Sequence, residues 1–177
     1  MTTATTPVIR RVWAMPNKWT YKIPAIADLI ARYITFDGSG WADPFAGQSV
    51  LAEFRNDLNP ANAQPNCMEA LDFLRMLHSF NTQLNGVLFD PPYSITQVSL
   101  SYQDFGLKFK GKENPTGGFP LVRDEIAALV KPGGLVVSFG WNTVGMGKGR
   151  GFAQVEILIV CHGGSRNDTL CVVEQKL

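Results

Sequence analysis

The chain has 177 residues, 45% hydrophobic and 18% charged, with a formal net charge of +1. That length suits one compact domain that buries a core without disulfide or metal staples, and the composition excludes a disordered tail, a fibrous repeat and a membrane-spanning run. A charge so near zero leaves any nucleic-acid contact to local basic stripes.

The opening MTTATTPVIRR has neither a basic start leading into an apolar stretch nor a small-residue cleavage site, so the expected location is the cytoplasm. The next clear signal is Pro24 at a first helical position, with Ile26, Leu29, Ile30, Tyr33 and Ile34 at helical spacing; it predicts an amphipathic helix over 23–34. After the turn Asp37-Gly38-Ser39-Gly40, residues 41–45 read as a short buried strand. It ends in the loop Ala46-Gly47-Gln48-Ser49, which is expected to feed a short helix. Strand, small-residue loop and helix in that order is a nucleotide-site layout.

A second short strand is expected over 54–58, and a helix over 67–78 with Met68, Leu71, Leu74 and Leu77 on one side. An apolar strand over 86–89 runs directly into Asp90. Residues 94–118 show no clear periodicity. A helix over 120–130 follows, stopped by Lys131-Pro132-Gly133-Gly134, then a buried strand over 135–139. Strands over 155–161 and 169–173, separated by 162–168, read as a terminal β-hairpin.

This alternation predicts an α/β fold: a doubly wound, mostly parallel sheet with helices on both faces and a C-terminal antiparallel hairpin, in one domain over 1–177. Ligands of such sheets bind outside the carboxyl ends of the strands, so the loops carrying Asp43 and Asp90 can face one crevice. Cys67, Cys161 and Cys171 form no CxxC pair beside a histidine cluster and read as reduced, core or near-core thiols; no metal is expected.

Asp90-Pro91-Pro92-Tyr93 carries the clearest chemistry. The lone pair of an aromatic amine is delocalised into its ring, so a site that alkylates it must polarise the NH2 group and hold it in line with the donor. Asp90 offers a carboxylate, the two prolines stiffen the loop and leave carbonyls free to accept, and Tyr93 presents a flat face on which a base can stack.

The tetrapeptide resembles the catalytic DPPY motif of the amino-methyltransferase superfamily, in particular S-adenosylmethionine-dependent DNA adenine-N6 methyltransferases of a minimal, orphan or phage-like form. The resemblance covers nearly the whole chain. It implies a Rossmann-like class I methyltransferase with a seven-stranded sheet, S-adenosyl-L-methionine as cofactor and DNA as partner. It also implies catalytic roles for Asp90, Pro91, Pro92 and Tyr93. Asp43-Pro44-Phe45-Ala46-Gly47 is similar to the superfamily's DPFxGxG cofactor loop, with Ser49 where the second glycine stands. Asp57 matches the acidic position for the ribose hydroxyls, although an Asx turn also suits it, and lies 14 residues after Asp43. Glu69 matches the position near the cofactor's adenine ring. Asn17, Lys18 and Thr20 fall in a segment resembling the N-terminal motif over the methionine end.

Lys108, Lys110 and Lys112, interleaved with Tyr102, Phe105 and Phe109, suit the phosphates beside a flipped base. Lys148, Arg150 and Arg166 are further candidate backbone contacts. No room remains for a separate target-recognition domain, which implies short or relaxed sequence preference in a monomer or homodimer, nucleoid-associated or phage-encoded. An RNA base amino-methyltransferase, acting for example on guanine N2 of ribosomal RNA, is the alternative enzyme; a non-catalytic nucleic-acid-binding scaffold is the alternative of another class.

Overall fold

The computed structural model describes residues 6–34, 37–104, 106 and 119–177, and among them seven strands form one sheet. They are Val8–Trp13 (β1), Trp41–Asp43 (β2), Phe54–Arg55 (β3), Leu84–Phe89 (β4), Val130–Gly140 (β5), Phe152–Cys161 (β6) and Thr169–Lys176 (β7), in the order β1-β6-β7-β5-β4-β2-β3. Every pairing is parallel except those of β7, which runs antiparallel between β5 and β6. The terminal hairpin therefore forms as expected, and its second strand lies inside the sheet. Leu170 to Val173 can occupy that place because an apolar run tolerates cover on both faces.

Four described helices accompany the sheet: Pro24–Tyr33 (α1), Ala70–Ser79 (α2), Ile95–Asp104 (α3) and Pro120–Leu129 (α4). Alternation along the central strands sorts the core into two layers. Val87 and Phe89 of β4 with Val136 of β5 meet Phe73, Leu74 and Leu77 of α2 and Val122, Ile126 and Leu129 of α4. Leu88 and Val137, one residue out of step, meet Ile26, Leu29 and Ile30 of α1 and Trp41. A period of two along each strand thus puts helices on both faces, and the doubly wound α/β expectation holds.

Four local expectations are corrected. No helix follows Ala46–Ser49: residues 44–53 pass from β2 to β3 as irregular backbone, because β2 and β3 are parallel neighbours joined by fewer residues than the dozen or so a helical crossover takes. Residues 95–104, read as aperiodic, form α3; only Val98 of its apolar side chains is buried, so no apolar stripe marks it. Lys131 to Gly134 belong to β5, and a register shift opposite Leu84 and Gly86 absorbs them, which gives Pro132 a bulge where its missing N–H costs nothing. β1, unassigned from sequence, is a mostly exposed edge strand whose Arg10 pairs with buried Glu156 at 3.1 Å.

Gly86 sits opposite Trp41, where a Cβ would lie 2.7 Å from three atoms of the indole. Gly86→Ala is therefore expected to overpack the α1 layer and destabilise by about 1–3 kcal/mol. Urea denaturation would show a lower midpoint at unchanged slope. Cys161 and Cys171 are buried as expected, whereas Cys67 is exposed. Among the described residues no helix is long and apolar enough to cross a membrane, and no cluster of His, Cys, Asp or Glu could hold a metal.

Candidate active site

β2 and β4 are adjacent and parallel, so Asp43 at the end of one and Asp90 just past the end of the other leave the sheet on the same side. Above them lies a cavity of about 1140 Å3. Its walls include Pro44 to Gly47, Asp57, Glu69, Asn17, Lys18, Thr20 and the whole tetrapeptide Asp90 to Tyr93. The two loops picked out from sequence, which are far apart in the chain, therefore share one chamber.

The tetrapeptide is held from both sides. Tyr93 donates its hydroxyl to Asp90 Oδ1 at 2.6 Å, and its backbone N–H donates to Gln97 Oε1 at 2.7 Å. Ser94 Oγ accepts the Gln97 N–H at 3.2 Å, so Ser94 and Gln97 form a variant capping box that starts α3 and braces the tetrapeptide in one device. Trp141, just past β5, meets the Tyr93 ring edge-on at 5.7 Å.

Burial pushes the Asp90 carboxyl up to about 6, against the opposing hydrogen bonds from the Tyr93 and Thr20 hydroxyls. Asp43 is fully buried and is not one of the cavity's walls. Its Oδ1 accepts the Phe45 N–H at 3.1 Å, and the buried Tyr21 hydroxyl lies close enough to interact with the same carboxyl. Burial raises the Asp43 carboxyl well above the carboxylate range, and the charge of Asp90 adds to the rise. Burial thus shifts both carboxyls at these strand ends toward the protonated form.

The Gly47 loop is fixed by side chains. Gly47 takes φ +53°, and a Cβ there would meet the Trp19 ring at 2.9 Å. Asp57 Oδ2 accepts the Gly47 N–H at 2.8 Å, and Oδ1 accepts from the Asn59 N–H at 2.8 Å and the Asn62 amide at 2.9 Å. The bond to Asn59, two residues on, is an Asx turn; the same carboxylate is also a cavity wall. Gln64 donates to the Gly47 and Ser49 carbonyls, each at 2.8 Å, and Asn56 to those of Pro44 and Met68 at 3.1 and 3.0 Å. Glu69 precedes the first turn of α2 and accepts the Tyr102 hydroxyl at 2.6 and 2.5 Å, which ties α3 across the chamber. Asn17 caps the following turn through the Trp19 N–H at 2.9 Å, and Lys18 Nζ stands 4.9 Å from the Trp19 ring centre.

Of the six proposed nucleic-acid cations, Lys108, Lys110 and Lys112 lie outside the described residues. Arg166 lines the cavity. Lys148 and Arg150 do not; Arg150 bonds Asp124 at 2.7 Å and the Met146 carbonyl at 3.3 Å, which commits it to anchoring α4. Sequence reading missed Gln97, Trp141, His162 and Asn167, all of them cavity walls. The spacing Ser94-x-x-Gln97 was the one signal available. His162 donates Nδ1–H to the Ala14 carbonyl and accepts from Thr169 at Nε2, both at 2.8 Å, which links the two chain ends beside the site.

No family model and no curated protein matches the sequence. Among solved structures, TrmN from Thermus thermophilus aligns with a TM-score of 0.50 at 18% identity, over 88% of this chain and 49% of that one. The chain has the Rossmann-like methyltransferase fold. It spans about half the length of TrmN. The N-methyltransferase NodS from Bradyrhizobium japonicum aligns at 0.48 and 11% identity, over 83% of this chain and 89% of that one.

Proposed function

We propose that this chain transfers a methyl group from S-adenosyl-L-methionine to the exocyclic N6 amine of adenine in DNA. The observation that carries the reading is the shared chamber, with Asp90 and Tyr93 on one wall and the Gly47 loop, Asp57 and Glu69 on others. At about 1140 Å3 it exceeds the roughly 300–1,000 Å3 usual for one small ligand and has room for a cofactor and a base together.

The donor set fits the cofactor. The Asp57 and Glu69 carboxylates would hold the adenosine part, Lys18, Asn17 and Thr20 the methionine carboxylate, and the bare face of Gly47 leaves the backbone open to close approach. Bound there, the cofactor supplies a methyl carbon made electrophilic by its sulfonium.

The chain's own residues handle the amine. The Asp90 carboxylate accepts a hydrogen bond from the NH2, which localises the nitrogen lone pair, and takes the proton that the nitrogen sheds on alkylation. Pro91 and Pro92 lack N–H groups that would compete for the lone pair, and their carbonyls can accept the second amine hydrogen. Tyr93 stacks on the base, an interaction of about 1–3 kcal/mol against the few kcal/mol needed to unstack it.

Labelled cofactor offered in parallel to duplex DNA and ribosomal RNA tests the reading. Label in DNA adenine is expected, whereas label confined to RNA, or absence of cofactor binding in calorimetry, overturns it. Tyr93→Ala should raise KM for DNA about tenfold through loss of the stack. Tyr93→Phe keeps the stack but removes the hydroxyl that stabilises ionised Asp90, so its pH–rate profile should keep the wild-type KM and move its acid limb to higher pH.

A further inference from the structure

Trp141 stands where two hollows meet. It lines the main cavity with Tyr93 and also an adjoining open hollow of about 400 Å3 with Arg166, Asn167, Asp168 and Leu170. Arg166 and Asn167 belong to both. The indole is left 40% exposed directly beside the tetrapeptide, although large aromatics elsewhere in the core, such as Trp41, are buried. Arg166 is exposed and makes no ion pair among the described residues. Its acidic neighbour Asp168 is turned back to accept the His162 N–H at 3.2 Å.

The hairpin tip that presents these groups is set in place. Gly163 and Gly164 take φ of +70° and +62°, and Arg166 N–H donates back to the Gly163 carbonyl at 3.4 Å. A Cβ on Gly163 would lie 3.1 Å from the Trp13 ring, so the tip rests on the end of β1. The second cleft is thus an aromatic platform, a cation and an amide on a braced turn, next to the wall that would take a flipped base.

We propose that this cleft is a subsite for the nucleotide adjacent to the methylated adenine: its base stacks on the outward face of Trp141, its phosphate pairs with Arg166, and Asn167 offers its amide to the base edge. The chemistry follows from extrusion itself. Pulling one base from a duplex strips its neighbour of a stacking partner, and an aromatic face in the right place replaces that partner whatever the neighbour's identity. The proposal rests on the methyl-transfer reading above.

Fluorescence anisotropy with labelled duplex oligonucleotides, intact or with an abasic position immediately 5′ or 3′ of the target adenine, tests it. For the wild type, one of the two abasic duplexes should bind about tenfold more weakly than the other, since both relieve the target adenine of one stacking partner and only one removes the base that Trp141 takes. Trp141→Ala should bind the two abasic duplexes equally, and Trp141→Phe should restore part of the difference while keeping the wild-type melting temperature. Arg166→Gln should weaken every duplex alike and reduce the slope of log affinity against log salt by about one. Equal wild-type affinity for the two abasic duplexes overturns the subsite, as does an undiminished difference between them in Trp141→Ala or an unchanged salt slope in Arg166→Gln. Failure of the underlying reading shows differently: the wild type would not methylate the intact duplex at all.

Discussion

Replacing Asp90 by alanine is expected to lower methyl transfer at saturating cofactor and DNA by about 10²–10³-fold, the usual loss when a group aimed at developing transition-state charge is removed. Cofactor affinity, read by calorimetry, should stay near the wild-type value, because the proposed partner of Asp90 is the amine. Survival of activity would refute the assigned role. Asp90→Asn keeps an oxygen that can accept but gives up the charge and the proton-accepting step, and should fall between the two.

The same carboxyl sets the pH dependence. With Asp90 pushed up to about 6, the active carboxylate is lost as pH falls through that value; the rate should drop about tenfold per unit below it and level off above. Stability has the opposite sign. The folded state holds this proton more tightly than an unfolded chain with an ordinary carboxyl, so the contribution of Asp90 to stability is fully present below about pH 4 and is lost as pH rises through about 6. Asp90→Asn is therefore expected to raise the melting temperature at pH 7.5 while it lowers the rate, and the advantage should shrink as pH falls.

Asp57→Ala should raise the dissociation constant for S-adenosylmethionine about 10–100-fold, since charged hydrogen bonds contribute about 1.5–3 kcal/mol. Three donors converge on this carboxylate, from Gly47, Asn59 and Asn62. Its loss both removes a cavity wall and frees the Gly47 loop. The rate at saturating cofactor should change little. Calorimetry of the variant checks this, and unchanged affinity would leave Asp57 as a turn residue alone.

Much of this was legible from residue order. The apolar runs before Asp43 and Asp90 made both strands visible, and the stripe Ile26, Leu29, Ile30 made α1 visible, because burial on one or both faces writes a period into the sequence. α3 and β1 were not legible for the converse reason: each buries little and so carries no period. The same holds within the site. Asp90 and Gly47 stand in motifs, whereas Trp141 and Asn167 reach the cavity only because β5 and the β6–β7 turn end beside it, which is a matter of register rather than local sequence. Arg150, a cation in a basic stretch, has a tertiary partner that its local sequence does not signal, Asp124 of α4.

The loop from Pro44 to Ser49 has no regular backbone, yet Asn56, Asp57 and Gln64 reach in from outside it and hold Pro44, Gly47 and Ser49 by their main-chain atoms. A segment pinned in this way has few torsions left to freeze when a ligand settles on it, so binding is spared most of the ordering entropy that a slack loop would lose. Two side-chain amides and one carboxylate thereby do the work of the absent crossover helix.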